Sequence, residues 1–289
     1  MMPNPPVVYL PRPDGASIAY RVLRGPGAGA IASPAAEDPP VVLMLHATLS
    51  AGWQLRQLAR QVGQWATVIL PDRRGSAASR LATPRPVELA EHVADAAALL
   101  DEVSVARVTV FGHSYGAIVA LALAAAHPDR VRALVAYEPP FVGAVNPASL
   151  RAVEILVGAV LVAHATGGAA AATQSFLRAI GAPETLATVP KSTRAVLLAE
   201  GDGVLADIGL LDSTTVDLAR VQCPAMLVTG SASAPFYASI ADAAAAAMPR
   251  ATRVTLAGLR HEAPITDPTA LAELVHDGAV GRPPSTGPA

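Results

Sequence analysis

Gly112-His113-Ser114-Tyr115-Gly116 sets a serine between two glycines, each two positions away. In this G-x-S-x-G spacing a serine can act as a nucleophile, provided that a strand precedes it and a helix follows. Val108, Val110 and Phe111 form a short apolar run that reads as a buried strand, and the Ala/Leu/Ile/Val segment from Ala117 reads as a buried helix ending near Pro128. The turn between them forces Ser114 into a strained backbone conformation, and the glycines remove the Cβ atoms that would clash there. The hydroxyl then stands clear of the sheet beside a helix N-terminus, with the Tyr115 N–H directed at any oxyanion that forms. A serine hydroxyl is a poor nucleophile until a base takes its proton, and histidine titrates in the range that suits this task.

The elements needed to hold such a site are legible along the chain. Val7 to Leu10 and Ile18 to Val22, separated by Pro13-Asp14-Gly15, read as a hairpin at a sheet edge. Gly25 to Pro40 is a Gly/Ala/Pro-rich loop. Buried strands are expected at Val41 to Leu45, Ala66 to Leu70, Val131 to Tyr137, Ala225 to Thr229 and Arg253 to Leu256. Helices are expected at Trp53 to Val62, Glu88 to Val103, Tyr237 to Met248 and Pro268 to His276. Leu89, Val93, Ala96, Leu99, Leu100 and Val103 form the apolar face of the second of these. From Phe141 to Arg220 the strand rhythm stops and helical patterns take over, with breaks at Gly167-Gly168, Gly181-Ala182-Pro183 and Val189-Pro190. Strands alternating with helices imply an α/β fold, a mostly parallel central sheet covered on both faces, with functional groups at the carboxyl ends of the strands. The division is then a core over 1–140 and 221–280, a helical lid over 141–220, and a disordered Pro/Gly/Ser tail over 281–289.

Composition excludes several classes. The 289 residues are 52% apolar, but much of this is alanine, and the net charge is −2 without a basic cluster, which argues against nucleic acid as a partner. No uninterrupted apolar run reaches the roughly 18 residues a spanning helix needs; Ile155 to Ala163 is too short and contains a glycine. The M-M-P-N-P-P start has neither the basic segment nor the apolar core of a signal peptide. The single cysteine, Cys223, excludes an internal disulfide and reads as a small core residue. No metal-ligand cluster or phosphate-cradling loop is evident, so neither metal nor cofactor is expected, and the expected location is cytoplasmic.

On these motifs the chain resembles the α/β-hydrolase fold family. L-H-A-T at Leu45 to Thr48 resembles that family's H-G-x-x turn, P-D-R-R-G-S-A-A-S from Pro71 resembles its D-x-R-G-x-G-x-S loop, and A-Y-E-P-P at Ala136 to Pro140 is similar to the strand end before the lid in esterase-like members. The resemblance implies that His261, after the last strand, is the base, and that the oxyanion hole is built from the N–H groups of Tyr115 and Thr48, with the Thr48 hydroxyl a further possible donor. His46 then supports the oxyanion loop, Asp72 pairs with Arg73 or Arg74, and His92, His164 and His276 are exposed on helices. Two departures stand out. Ala47 replaces the usual glycine, which implies a differently shaped loop. The Asp that the family carries after the strand ending at Thr229 is missing from Gly230 to Pro235. Glu138, at the end of the preceding strand, is the substitute acid, since haloalkane dehalogenases draw theirs from that position; a helix-capping or lid-anchoring carboxylate is the other role open to it. Asp267 caps the last helix, Glu262 diverges from its neighbour His261, and Ser233 is a possible polar contact for the base.

The reading that follows is a serine hydrolase acting through an acyl-enzyme on an ester, lactone or thioester of a small to medium apolar substrate. Serine at the elbow argues against haloalkane and epoxide chemistries, which use aspartate there. A lyase or cyclase that uses the same pocket for proton transfer, and a non-catalytic ligand-binding protein, are the alternatives on this fold. Oligomeric state is not legible.

Overall fold

The computed structural model describes residues 5–25, 40–83, 85–140, 147–208 and 215–284. Within these, eight strands form a single sheet: β1 (Val8–Pro11), β2 (Ser17–Leu23), β3 (Val41–Leu45), β4 (Thr67–Pro71), β5 (Val108–His113), β6 (Val131–Tyr137), β7 (Ala225–Gly230) and β8 (Ala251–Leu256). Their spatial order is β1-β2-β4-β3-β5-β6-β7-β8. The first two strands pair antiparallel with each other and β2 pairs antiparallel with β4, whereas β3 to β8 run parallel. Each expected strand is present, with its ends within two residues of those expected. The expected loop over 26–39 and the tail over 285–289 lie outside the described residues.

Alternation along the strands sends side chains to two separate cores. Leu43, Leu45, Val110, Leu134 and Leu227 pack on one face, against α2 (Leu89–Glu102), α3 (Tyr115–Ala126) and later α8 (Pro235–Ala247). Val42, Met44, Phe111, Val135 and Val228 pack on the other, against α1 (Arg56–Val62) and α10 (Thr269–Val280). A helix that is apolar all round must be enclosed, and every residue of α3 from Tyr115 to Ala125 is buried. Between β6 and β7 stand α4 (Pro147–Ala179), α5 (Thr185–Thr188), α6 (Lys191–Ala199) and α7 (Gly201–Ile208), with breaks where the glycines and prolines foretold them. Within α4 the break is a kink at Gly168, whose φ is 68°. By length and composition alone the stretch Leu150–Ala179 is apolar enough to cross a membrane, although no uninterrupted apolar run within it reaches the expected 18 residues. A short α9 (Ala263–Thr266), not foreseen, precedes α10. Pro268, with no side-chain cap, stands at the start of α10 in place of the expected Asp267 cap.

Chain order around the sheet has one consequence for function. From β3 the chain crosses to β4 on one side and then, through α2, to β5 on the other. Connections leaving in opposite directions open a crevice beyond the carboxyl ends of β3 and β5, where side chains can converge without filling the core.

Besides His261, three histidines lie in the interior: His46 after β3, His92 on α2 and His113 at the end of β5. The structure corrects the expectation that His92 is exposed. It is one helical step from Ala96 and so extends the buried stripe, where its ring meets that of Tyr115 edge-on at 5.7 Å. Burial, together with the nearby Arg73 guanidinium, lowers His46 and His92 from 6.5 to about 3. Burial and the neighbouring His261 hold His113 well below its ordinary value. All three are thus neutral in the folded protein near neutral pH, whereas unfolded imidazoles bind protons as the pH drops through about 6.5. The unfolded state then holds more protons, so this stability is complete above about pH 6.5 and is lost on acidification. The slope should approach about 4 kcal/mol per pH unit for three groups. Urea midpoints measured from about pH 7.5 to 4.5 should fall accordingly, and His92→Leu should remove about a third of the slope; a midpoint independent of pH would overturn the assignment.

Candidate active site

Ser114 sits between β5 and α3 with φ 54° and ψ −122°, a conformation that costs a non-glycine residue of order 1–3 kcal/mol. The surroundings impose it. The Ser114 N–H donates to the carbonyl of Tyr137 at the end of β6 (2.9 Å), and the Ser114 carbonyl accepts the Ala117 N–H (2.8 Å), which starts the helix. A Cβ at Gly116 would stand 2.3 Å from the Leu45 carbonyl oxygen, and one at Gly112 would stand 2.5 Å from the Ala117 Cα. The two glycines of the motif therefore let α3 press against β3 and β5. Ser114 is 4% exposed.

His261 lies in the loop between β8 and α9, and its Nδ1 stands 2.6 Å from Glu138 Oε2. Facing a carboxylate, Nδ1 carries the ring proton, which leaves Nε2 as the basic nitrogen. Glu138 has no exposed surface. Its second oxygen, Oε1, accepts the Gly230 N–H at 2.8 Å, its own N–H donates to the Val228 carbonyl, and its φ is 49°. The carboxylate thus reaches across the end of β7 from β6. The His261 loop is tied down from behind: His113 Nε2 donates to the His261 carbonyl (2.8 Å) and the Tyr137 hydroxyl donates to the Arg260 carbonyl (2.6 Å). His113, the residue before Ser114, is therefore bonded directly to the residue that carries the imidazole. Gly230 closes the arrangement, since a Cβ there would be 2.2 Å from the Leu259 carbonyl oxygen.

Two features on this side escaped the sequence reading. Tyr237 of α8 stacks on His261, with ring centroids 4.6 Å apart and planes at 11°, and its hydroxyl lies 3.4 Å from Nε2, long for a hydrogen bond. Burial pushes that phenol well above its ordinary value, so it stays protonated. Only the loop connection between β7 and α8 brings it there, and a tyrosine on an Ala-rich helix carries no signal of that. A cavity of about 350 Å³ also opens at His261, lined by Ala179, Ile180, Ala232 and Ala234, with Arg178, Ser233 and Arg260 as polar neighbours. Ser233 thus faces the same space as the imidazole.

Across the crevice, His46 and Thr48 follow β3. His46 Nε2 accepts the Arg73 N–H at 2.7 Å and Nδ1 donates to the Ala47 carbonyl at 2.8 Å, which defines the tautomer of this neutral ring. The positive φ of this turn, 58°, falls on Leu49 and not on Ala47, so alanine in place of glycine needs no unusual backbone. The Thr48 hydroxyl donates to Asp207 Oδ2 of α7 at 2.7 Å, so it is directed at a carboxylate and not at the space beside Ser114. Arg73 also meets Asp207, through Nη2 at 2.6 Å and Nη1 at 3.1 Å. The expected Asp72–arginine pair is replaced by other contacts: Asp72 accepts the N–H groups of Gly52 and Ala78, while Arg74 pairs with Asp95 and Asp14. The carboxylate of Asp72 is more useful there because it holds two turns together. Asp207 lay outside the sequence reading, because nothing in a Gly-Asp-Gly-Val-Leu-Ala-Asp helix marks its last acid for a partner 134 residues away. Among the described residues no group of three His, Cys, Asp or Glu is placed to hold a metal ion.

The side chains of His261 and Glu138, the strained Ser114 and the N-terminus of α3 thus share the carboxyl ends of β5 to β8. Such a set can pass a proton from a hydroxyl to Nε2 and stabilise negative charge at the helix start. Comparisons with known proteins agree with this architecture. The uncharacterized hydrolase YraK of Bacillus subtilis (strain 168) is 32% identical over 126 residues, 43% of this chain and 42% of that protein. Epoxide hydrolase B of Mycobacterium tuberculosis is 32% identical over 132 residues, 44% of this chain and 37% of its own. The match spans less than half the length of either curated relative. Among solved structures, the enol-lactonase from Burkholderia xenovorans LB400 superposes with a TM-score of 0.73 at 21% identity, over 92% of this chain and 98% of that one, a likeness of fold. The pattern describing the alpha/beta hydrolase fold matches residues 40–195, which contain β3 to β6 and the Ser114 turn, and the chain belongs to that family.

Proposed function

We propose that this protein is a serine hydrolase that cleaves an ester, lactone or thioester of a small to medium apolar substrate through an acyl-enzyme on Ser114. The observation that carries this reading is the buried contact between His261 Nδ1 and Glu138 Oε2, on a loop tied to the residue next to Ser114. Ser114 Oγ attacks the carbonyl carbon as its proton passes to His261 Nε2. The imidazolium so formed is stabilised by Glu138, and the carbonyl oxygen, now negative, is held by the N–H groups of Tyr115 and Thr48. The first N–H groups of a helix have no partner within it, which suits Tyr115 to this role. Collapse of the intermediate expels the leaving group with the proton from His261; water, deprotonated by the same imidazole, then releases the acid.

The inserted helices act as a lid in this reading, and the Ala and Ile side chains beside His261 suit an apolar substrate. The partner is a small molecule, with no metal or cofactor taking part, and the reading keeps the expected cytoplasmic setting.

A fluorophosphonate probe tests the nucleophile. The wild-type protein should be labelled stoichiometrically and Ser114→Ala not at all; an unlabelled, well-folded wild type would end the acyl-enzyme reading in favour of proton-transfer chemistry or ligand binding. Glu138→Gln keeps the shape of the side chain but removes the charge that orients and stabilises the imidazolium, and should lower kcat on a p-nitrophenyl ester by about 10³- to 10⁴-fold. A rate near that of the wild type would show that Glu138 serves only to hold β7.

A further inference from the structure

The loop that would hold the oxyanion is fastened to the inserted helices at one point. Asp207, the last residue but one of α7, accepts the Thr48 hydroxyl with Oδ2 and takes both terminal nitrogens of Arg73. Arg73 in turn donates from Nε to the His46 carbonyl (3.1 Å) and from Nη2 to the Ala47 carbonyl (3.3 Å), and its guanidinium lies 4.7 Å from the centre of the Tyr115 ring. The Ala47 carbonyl and the Thr48 N–H belong to one peptide unit. In a planar trans peptide the two groups point in opposite directions, so whatever aims the Ala47 oxygen at Arg73 and His46 aims the Thr48 N–H the other way. One carboxylate therefore governs this peptide twice, through the Thr48 side chain and through Arg73.

We propose that Asp207 is a positioning residue, through which the inserted helices set the direction of the Thr48 N–H and hence the strength of the oxyanion site. The proposal rests on the serine hydrolase reading. Its physical basis is that Arg73 is buried and its charge has only Asp207 as an ion-pair partner among the described residues. Burial pushes the Asp207 carboxyl upward, but Arg73 and the Thr48 hydroxyl more than offset this, and it stays below its ordinary range. A buried guanidinium deprived of its partner must find other acceptors or water, and the carbonyls it holds are released. Catalysis depends on such donors being fixed before charge develops, because a donor that must reorient stabilises the transition state less. When the α7 seat is displaced, the hole loosens; when it is occupied, the hole is formed.

The test compares Asp207→Asn and Asp207→Glu with the wild type on p-nitrophenyl acetate, a substrate too short to reach far into the inserted helices. Loss of one oxyanion donor costs about 10²- to 10³-fold in kcat, so misdirection of one should cost about 10- to 100-fold. Asp207→Asn should show that drop in kcat with KM within about twofold of the wild type. Its inhibition constant for a short alkylboronic acid, whose tetrahedral serine adduct mimics the intermediate, should rise by the same factor. Asp207→Glu, which keeps the charge, should recover part of both. A kcat for Asp207→Asn within twofold of the wild type, or a loss confined to KM, overturns the proposal. If neither variant folds, hydrogen exchange on the wild type decides. Binding of the boronic acid should protect amides of residues 46–49 and of α7 together, and protection confined to 46–49 overturns it. A wild type that neither hydrolyses the ester nor reacts with fluorophosphonate defeats the serine hydrolase reading instead, a separate outcome.

Discussion

A carboxyl group wholly removed from water must be hydrogen bonded on both oxygens or destabilise the fold that encloses it. Glu138 meets that requirement with two partners drawn from distant parts of the chain, the imidazole of His261 and the N–H of Gly230. Much of the site's geometry follows from this one requirement. The positive φ of Glu138 turns the chain out of β6 so that the side chain can cross β7, and Gly230 must lack a side chain so that β7 can lie against the Leu259 carbonyl. The loop carrying His261 is then held from three directions, by Glu138 on its ring and by His113 and Tyr137 on its backbone.

The opposite wall of the crevice follows the same logic with the charges reversed. Arg73 is the buried cation, and Asp207 and two backbone carbonyls are its partners. The two walls differ in what they connect. Glu138 joins strands of the sheet to each other, so its contact is as durable as the sheet. Asp207 joins the sheet to helices inserted between β6 and β7, and those helices have less of their surface buried than α3 does.

Membership of the family accounts for the crevice but not for the chemistry within it. The same fold is seen in a solved structure described as an enol-lactonase, and part of the chain resembles in sequence a protein described as an epoxide hydrolase. What separates members is the residue at the elbow and what surrounds it. Here that residue is a serine at φ 54°, and the carboxylate that meets the His261 imidazole is a glutamate just after β6, where the loop after β7 carries no carboxylate.

The sequence by itself determined everything that depends on local pattern. Apolar runs of strand length, alternating with helical stripes, specified the α/β class and nearly every element, and the G-x-S-x-G spacing located the strained serine, because a two-glycine turn between a strand and a buried helix is a local steric problem. The late histidine in its loop and the glutamate at the end of β6 were legible because a family resemblance supplied the chain order. What only the tertiary structure decided is where long side chains go once elements distant in sequence pack. Asp207 and Thr48 are 159 positions apart, and Tyr237 meets His261 only because α8 packs against the strand that the His261 loop follows. His92 looked solvent-facing on its own helix and is buried because Tyr115 of the next helix covers it. Asp72 seemed matched to a neighbouring arginine, yet two backbone N–H groups claimed it and left both arginines to other acids. Pairing of charges at long range is a competition among all acceptors within reach, and reach is a property of the folded chain.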